Sequence, residues 1–470
     1  MDLRLAAAVN AGKAAGVATR LLRRGGGTAL PGLVALRLDP AAVRKLGRQL
    51  GRGRVLVTGT NGKTTTSRIL ASILAEAGFS IIHNREGSNL LRGMASTLLA
   101  SAGPGGRLRL RGGAGSALGL FETDEASLPG AARDLAPSAI AFTNLFRDQL
   151  DRYGEVDTVA ALWREALALT PRDATLVLNA DDPSVAELAT GWLGPIHWFG
   201  LDDAAFATTE PGAVDARWCR ACGGTFVYDR RYFAHLGYWR CSGCGRSRPT
   251  PGTAAESVSL GPVSASFVVP GLGQLEMPLT GVYNVSNALA AIALARVLGI
   301  GTGPIARGVA AARPAFGRQE TVELEGRRLR IYLCKNPAGA NQVIRLLQSL
   351  AAAAPGAAPT LHAALLLNDR FADGQDVSWT WDVDYELLAG TVRAYWAGGT
   401  RAEDMALRLK YAGWPPPLAV EPGPAPLLEA IIAATAPGDE VAVIPTYTAM
   451  LDLRTELGRR GVATRFGDDA

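Results

Sequence analysis

The chain has 470 residues, enough for two or three domains with well-buried cores. Its content of 48% hydrophobic and 19% charged residues is typical of a soluble globular enzyme and excludes a disordered chain. A net charge of +5 is too small to predict nucleic-acid binding, and no apolar run reaches the roughly 18 residues of a membrane span. Since Arg4 and Lys13 also interrupt any signal-peptide core, we expect a cytoplasmic protein.

Residues 1–50 predict a basic helical segment with breaks at Pro31 and Pro40. Residues 1–53 hold ten Lys or Arg and two acidic residues. This excess of positive charge predicts a solvated helical face. The alternative is peripheral contact with an acidic surface or with anionic lipid at the inner face of a membrane.

Residues 51–315 predict a central α/β domain. Short apolar runs alternate with helical patterns, which indicates βαβ units and a parallel sheet. The predicted strands are residues 55–57, 116–121, 138–142 and 174–178, and residues 257–269 also resemble a strand. Ligands of such sheets gather at the carboxyl ends of the strands.

The first predicted strand leads into a glycine-bracketed turn and then a helix, the layout of a phosphate-binding loop. Backbone N–H groups and the helix N-terminus would face phosphate oxygens, Lys63 would neutralise their charge, and Thr64 would ligate Mg²⁺. The usual pattern has Gly where this chain has Val57. The predicted ATP-binding set here is Gly59, Thr60, Asn61, Gly62, Lys63, Thr64 and Thr65.

Three carboxylates, those of Glu122, Asp124 and Glu125, follow the strand predicted at 116–121. An acidic residue at a strand end beside a phosphate-binding loop supplies the oxygen ligand that Mg²⁺ needs. The sequence does not choose between Glu122 and Glu125 as that ligand. Capping of the next helix is the alternative role.

Four cysteines in the inserted stretch 203–252 predict a metal site. Cys219 and Cys222 form one C-x-x-C pair, Cys241 and Cys244 form the second, and 18 residues separate the pairs. Two such knuckles build a closed tetrahedral thiolate site, so we expect structural zinc in a zinc-ribbon insertion. His235, between the pairs, is interpreted as a surface or packing residue.

A helix is predicted at 285–298, and residues 312–319 predict a hinge. Beyond the hinge, residues 316–470 predict a C-terminal Rossmann-like α/β domain with a loose linker at 351–359.

The ordered motifs of the chain resemble those of the Mur ligase family. They are G-T-N-G-K-T-T at 59–65, E-x-D-E at 122–125, T-N-L-x-x-D-x-L-D at 143–151, L-N-A-D-D-P at 178–183, G-x-x-N-x-x-N-A-L-A-A at 281–291, and Gly317-Arg318. The resemblance implies a P-loop central domain that uses ATP to activate a carboxylate as an acyl phosphate, which an amine attacks. It also implies nucleotide contacts from Asn284, Asn287 and Arg318.

Departures from the family pattern indicate which members of the family the chain resembles. The P-loop at residue 59 leaves no room for a UDP-sugar domain, Gln149 stands where the stem-peptide ligases have His, and no Lys lies between Lys63 and Lys335 to be carbamylated. With the four-cysteine insertion, these features resemble the Mur ligase-like subunits of lipid II isoglutaminyl synthases. That resemblance implies amidation of the D-glutamate α-carboxylate in the peptidoglycan stem peptide, with lipid II or a soluble precursor as substrate.

A partner subunit is expected as the ammonia source. Glutamine hydrolysis needs a Cys nucleophile and a His base, and Cys334 is the single cysteine outside the predicted metal site. The resemblance implies a GatD-like class I glutaminase in a heterodimer. It also implies that an aspartate of the segment 368–386 orients the partner's catalytic His. We place this role at Asp373, with Asp376 as the alternative, and count both with Lys63 as candidate catalytic residues.

Two other functions remain open. A folylpolyglutamate synthase-like ligase shares the ATP core, but the four-cysteine insertion argues against it. A zinc-ribbon nucleic-acid-binding ATPase is the second alternative, weakened by the mild net charge.

Overall fold

The computed structural model describes residues 2–21, 29–84, 88–110, 113, 116–147, 156–207, 215–314, 317–352 and 360–462. The chain divides into two compact units. The first contains residues 1–146 and 156–313, and the second contains residues 147–155 and 314–470. Gln149 and most of the predicted linker lie outside the described residues.

Three helices occupy the basic segment at the start of the first unit: Leu3–Leu21, Leu30–Leu38 and Ala42–Gly47. Pro31 lies in the first turn of the second helix, where its missing N–H breaks no helical hydrogen bond. This helix packs closely on a later one, because a Cβ added at Gly32 would lie 1.8 Å from the carbonyl oxygen of Arg92. Among the described residues, none of the helices combines the length and apolar character needed to cross a bilayer.

A nine-stranded sheet forms the centre of the first unit. Its strands are β1 (Arg54–Thr58), β2 (Ser80–His83), β3 (Ala117–Glu122), β4 (Ala139–Phe142), β5 (Thr175–Asn179), β6 (Ile196–Leu201), β9 (Thr253–Leu260), β10 (Ala265–Val269) and β11 (Gly273–Met277). Their order in the sheet is β11-β10-β9-β6-β5-β4-β1-β3-β2. The neighbouring strands between β2 and β9 in this order pair parallel, whereas β9, β10 and β11 pair antiparallel.

The predicted parallel sheet is therefore confirmed, with an antiparallel extension. The single strand predicted at 257–269 is instead two strands, because Gly261 donates its N–H to the carbonyl oxygen of Ser264 and turns the chain. Val55, Leu56 and Val57 are fully buried, as expected for a central strand covered on both faces.

Helices cover this sheet at Lys63–Glu76, Leu91–Ser101, Leu128–Leu135, Val156–Leu169, Pro183–Ala186, Val282–Val297 and Thr302–Ala310. Val282–Val297 corresponds to the helix predicted at 285–298 and begins one turn earlier. Most of its side chains are buried, because it packs against Lys63–Glu76 on one side and strands of the sheet on another.

An antiparallel hairpin, β7 (Phe226–Phe233) and β8 (Leu236–Cys241), forms the core of the four-cysteine insertion.

A six-stranded sheet forms the centre of the second unit. Its strands are β12 (Arg318–Leu324), β13 (Arg327–Tyr332), β14 (Leu361–Leu366), β15 (Val392–Gly398), β16 (Ala419–Glu421) and β17 (Glu440–Pro445). Their order in the sheet is β12-β13-β17-β14-β15-β16. The strands β12 and β13 pair antiparallel, and the other pairs are parallel. The helices are Pro337–Ala352, Ala402–Tyr411, Pro424–Ala434 and Tyr447–Arg459. This is the α/β arrangement predicted for the C-terminal domain.

Candidate functional site

The phosphate-binding loop follows β1 and ends in the helix Lys63–Glu76, as the sequence predicts. Gly59 and Gly62 have φ angles of +133° and +88°, which residues with a Cβ rarely adopt. A Cβ at Gly62 would also lie 2.0 Å from Oδ1 of Asn287. The backbone conformation therefore favours glycine at both positions. At Gly62, the close approach of the helix that carries Asn287 also leaves no space for a Cβ.

Lys63 is buried at the first position of that helix. Its Nζ lies 2.8 Å from Oε1 of Glu125 and donates to the carbonyl oxygen of Gly59 at 2.5 Å. Burial alone lowers the pKa of Lys63, but the charges of Glu125, Asp124 and Glu122 outweigh it and leave the pKa above its ordinary value. The lysine is thus held as a cation at the place where phosphate charge is expected.

The three carboxylates at the end of β3 are all buried. Asp124 caps the next turn by accepting a hydrogen bond from the N–H of Ala126 at 3.1 Å, so the capping role belongs to this residue. Glu125 forms the ion pair with Lys63. Carboxylate oxygens are suitable ligands for Mg²⁺, and the choice between Glu122 and Glu125 stays a prediction.

Residues 143–146, which follow β4, form a clamp on the phosphate-binding loop, and we call them the clamp loop. Oδ1 of Asn144 accepts from the N–H of Asn61 at 2.8 Å, and Nδ2 of Asn144 donates to the Asn61 carbonyl at 3.1 Å. The N–H of Phe146 donates to the Thr60 hydroxyl at 3.0 Å. This clamp was not predicted from the sequence. An Asn directly after a buried strand indicates a polar contact at that strand end, but it does not identify Asn61 as the partner.

Two predicted nucleotide-site residues, Asn284 and Asn287, lie in the first turns of Val282–Val297, beside the phosphate-binding loop. Nδ2 of Asn287 donates to Oδ1 of Asn284 at 3.3 Å, and the Thr66 hydroxyl donates to the Asn287 carbonyl at 3.3 Å. Arg318 begins β12 in the second unit, so its nucleotide contact stays a prediction.

The four cysteines lie together, with all four sulfurs within 4.8 Å of one another. The Sγ atoms of Cys219 and Cys244 are 3.8 Å apart, and those of Cys222 and Cys241 are 3.4 Å apart. Tetrahedral ligands about 2.3 Å from zinc are separated by about 3.8 Å, so this donor set fits such an ion. Mainly through the backbone N–H of Cys244, the pKa of Cys241 falls to about 6, which favours the thiolate.

The two candidate aspartates of the second unit differ in exposure. Asp373 is 2% exposed and accepts hydrogen bonds from the N–H and hydroxyl of Thr448, and burial raises its pKa. Asp376 is exposed, and the hydroxyl and N–H of Ser378 lower its pKa. Asp376 is thus the more accessible of the two, and the role of orienting a partner's His stays a prediction for Asp373, with Asp376 as the alternative.

Two protein families match parts of the chain. Residues 57–215 match the Mur ligase middle domain, and residues 333–450 match the MurT ligase C-terminal domain.

Similar proteins agree with these matches. The chain is 33% identical over 450 residues to the MurT subunit of lipid II isoglutaminyl synthase (glutamine-hydrolysing) from Streptococcus pneumoniae, covering 95% of each chain. It is 32% identical to the corresponding MurT subunit from Staphylococcus aureus, covering 92% of this chain and 93% of that one. Among solved structures, a pseudomurein peptide ligase type C from Methanothermus fervidus shares the fold, with a TM-score of 0.64 and 19% identity over 87% of this chain and 79% of that one.

The ion pair of Lys63 predicts unequal effects of two similar substitutions. Glu125→Gln should lower the free energy of unfolding without nucleotide by about 3 kcal/mol, because it removes the negative charge 2.8 Å from a buried cation. The matched control Glu122→Gln should change it much less, because the charge of Glu122 has a smaller effect on Lys63 than that of Glu125. Urea unfolding of both variants measures the difference, and equal losses would contradict the assignment of Glu125 as the partner.

Proposed function

Because the chain belongs to the MurT family of Mur ligases, we propose that it is the amidating subunit of a lipid II isoglutaminyl synthase. In this proposal it is a C–N ligase that uses glutamine as its amido donor. It converts the α-carboxylate of D-glutamate in the peptidoglycan stem peptide to the amide, giving D-isoglutamine. The observation that carries the proposal is the buried Lys63 cation in a clamped phosphate-binding loop, within a chain that matches MurT subunits over nearly its full length.

The loop would bind the phosphates of ATP through its backbone N–H groups and Lys63. Phosphate oxygens compete with Glu125 for this ammonium, so nucleotide binding would free a carboxylate for Mg²⁺. Thr64 and either Glu122 or Glu125 would then hold the ion, which neutralises charge on the β- and γ-phosphates. Asn284, Asn287 and Arg318 are proposed as the remaining nucleotide contacts.

The chemistry proceeds in two displacements. An oxygen of the substrate α-carboxylate attacks the γ-phosphorus, and the bond to the β-phosphate oxygen breaks, giving an acyl phosphate and ADP. Ammonia then attacks the acyl carbon, phosphate leaves, and the nitrogen loses a proton to give the amide. The role of this chain is to align the γ-phosphate with the carboxylate and to stabilise the transferred charge.

The first test is ammonia-driven ATP hydrolysis in the presence of lipid II. Lys63→Ala should reduce kcat by about 100-fold or more, because it removes the buried cation of the phosphate site. The matched control Lys410→Ala removes an exposed lysine of the second unit and should leave the rate unchanged. Wild-type activity in Lys63→Ala, or a wild-type rate independent of lipid II, would refute the proposal.

A glutaminase partner of the GatD type would supply the ammonia, and the segment 368–386 is proposed to face it. This segment presents exposed aromatic surface, since Phe371 is 75% exposed and Trp381 is 52% exposed. The Trp381 ring lies 5.6 Å from that of Tyr411, itself 70% exposed. Aromatic side chains are enriched at protein interfaces relative to the rest of a protein surface. Asp376 is the accessible carboxylate proposed to orient the partner's His.

The two aspartates are separated by comparing ammonia sources. Asp376→Asn should reduce glutamine-driven amidation by about 100-fold or more and leave ammonia-driven amidation intact, because it disturbs the partner's His alone. Asp373→Asn should instead lower thermal stability, because Asp373 bonds to Thr448 inside the unit. Loss of glutamine-driven activity alone in Asp373→Asn, with Asp376→Asn active, would restore the first choice.

Zinc is the proposed occupant of the four-cysteine cluster, with a structural role, because four thiolates leave no open ligand position. Metal analysis should give one zinc per chain. Cys244→Ser should lose it and unfold at lower temperature, since the metal ties two knuckles together. Cys334→Ser, a buried cysteine outside the cluster, is the control and should keep the zinc. Full metal content in Cys244→Ser would contradict the site.

The proposed place of action is the cytoplasm, at the inner face of the membrane where a lipid-linked precursor would be reached. The basic N-terminal segment supports peripheral contact with anionic lipid.

A further inference from the structure

We propose that His235 is a positioning residue for nucleotide binding, through which the inserted hairpin holds the clamp loop against the phosphate-binding loop. The inference rests on the proposed ATP site and extends it to a residue of the four-cysteine insertion. His235 was interpreted from the sequence as a surface or packing residue, whereas its side chain is fully buried and lies against groups that support the ATP site.

His235 lies at the tip of the hairpin, in the turn between β7 and β8. The four cysteines lie at the other end of the same hairpin: Cys219 and Cys222 precede β7, Cys241 is the last residue of β8, and Cys244 follows it. Close to the tip, the N–H of Gly237 donates to the Asp181 carbonyl at 2.9 Å, and Nε1 of Trp239 donates to the Ala180 carbonyl at 2.9 Å. The hairpin is therefore docked on the carboxyl end of β5, and its tip reaches the clamp loop.

The first contact of His235 is with a buried carboxylate. Its Nε2 lies 3.4 Å from Oδ2 of Asp182, and the side chains of both residues are 0% exposed. The same Oδ2 accepts the N–H of Leu145, in the clamp loop, at 2.8 Å. Oδ1 of Asp182 accepts the N–H of Ser184 at 2.8 Å. Asp182 thus joins the hairpin tip to the backbone of the clamp loop.

The second contact of His235 is with an aromatic ring of the clamp loop. The ring centroids of His235 and Phe146 are 4.6 Å apart at 53°, and those of Phe233 and Phe146 are 6.2 Å apart. The backbone of Phe146 makes two hydrogen bonds with the Thr60 hydroxyl, donating at 3.0 Å and accepting at 3.2 Å. Through Phe146, the His235 ring is therefore connected to the Thr60 side chain of the phosphate-binding loop.

The contact with Asp182 explains why an imidazole, and not an apolar ring, occupies this position. Neither ring nitrogen of His235 makes a hydrogen bond within the part of the chain that the structure describes. A buried polar atom without such a bond destabilises a fold, and an apolar ring would pack on Phe146 without that cost. The Nε2 atom of His235 lies 3.4 Å from the Asp182 carboxylate, and a phenyl ring has no polar atom to place there. The polar contact, in addition to the ring contact, is therefore assigned the positioning role.

The experiment measures the Kd of a fluorescent ATP analogue, and KM and kcat for ATP, in the full chain assembled with its glutaminase partner. His235→Ala should raise the Kd and the KM about tenfold and leave kcat within about threefold, because the loop is misplaced but keeps Lys63. His235→Phe keeps the ring contact with Phe146 and removes the polar contact with Asp182, so it should also raise the Kd, by about fivefold. If His235→Ala does not fold, the Kd of His235→Phe alone tests the inference.

The control Trp239→Phe removes the hydrogen bond from the hairpin to Ala180 without touching the clamp loop, and it should leave the Kd within about twofold. Equal shifts of the Kd in the His235 and Trp239 variants, or an unchanged Kd in His235→Phe, would overturn the inference. Lys63→Ala serves as the reference. If it weakens binding while the His235 variants do not, this inference alone fails. If it leaves the Kd unchanged, the proposed ATP site fails as well, and the inference with it.

Discussion

The first unit has to keep a buried positive charge ionised at the start of the helix that follows β1. Lys63 can stay ionised in the interior because Glu125 lies 2.8 Å away and two more carboxylates act on it. The loop that carries this charge has two glycines in left-handed conformations and is bound by the clamp loop. The clamp loop and the helix Val282–Val297 contact this loop, and the hairpin contacts the clamp loop. All three elements therefore help to hold the loop where phosphate transfer is proposed.

Local patterns allowed much of this site to be predicted. Gly62 and Lys63 lie in a strand–turn–helix whose predicted phosphate-binding residues are seven consecutive positions, 59–65, and the spacing of the cysteine pairs predicts that the four sulfurs lie together. The clamp on Asn61 was not predictable in this way, because its partner, Asn144, lies 83 residues away and no local pattern links them. The burial of His235 likewise depends on where the inserted hairpin docks, which composition does not show.

The second unit shows a different limit of prediction. The segment 368–386 is turn-rich, with no helical or strand period from which burial follows, so Asp373 and Asp376 are equivalent in the sequence. The structure separates them: Asp373 is enclosed by bonds to Thr448 at the start of the helix Tyr447–Arg459, whereas Asp376 is exposed. The strand order of this sheet was also beyond local patterns, because β17, the last strand, inserts between β13 and β14.

The packing of the helix Val282–Val297 on the phosphate-binding loop has a consequence for synthesis on the ribosome. The hydrogen bond from Thr66 to Asn287 joins residues 221 positions apart. At about 10 residues per second, the ribosome needs roughly 20 seconds to make the intervening chain. During that interval the nascent loop has its glycines and its lysine but lacks the helix that covers it. On the ribosome, the face of the nascent chain that this helix later covers therefore stays exposed for that time.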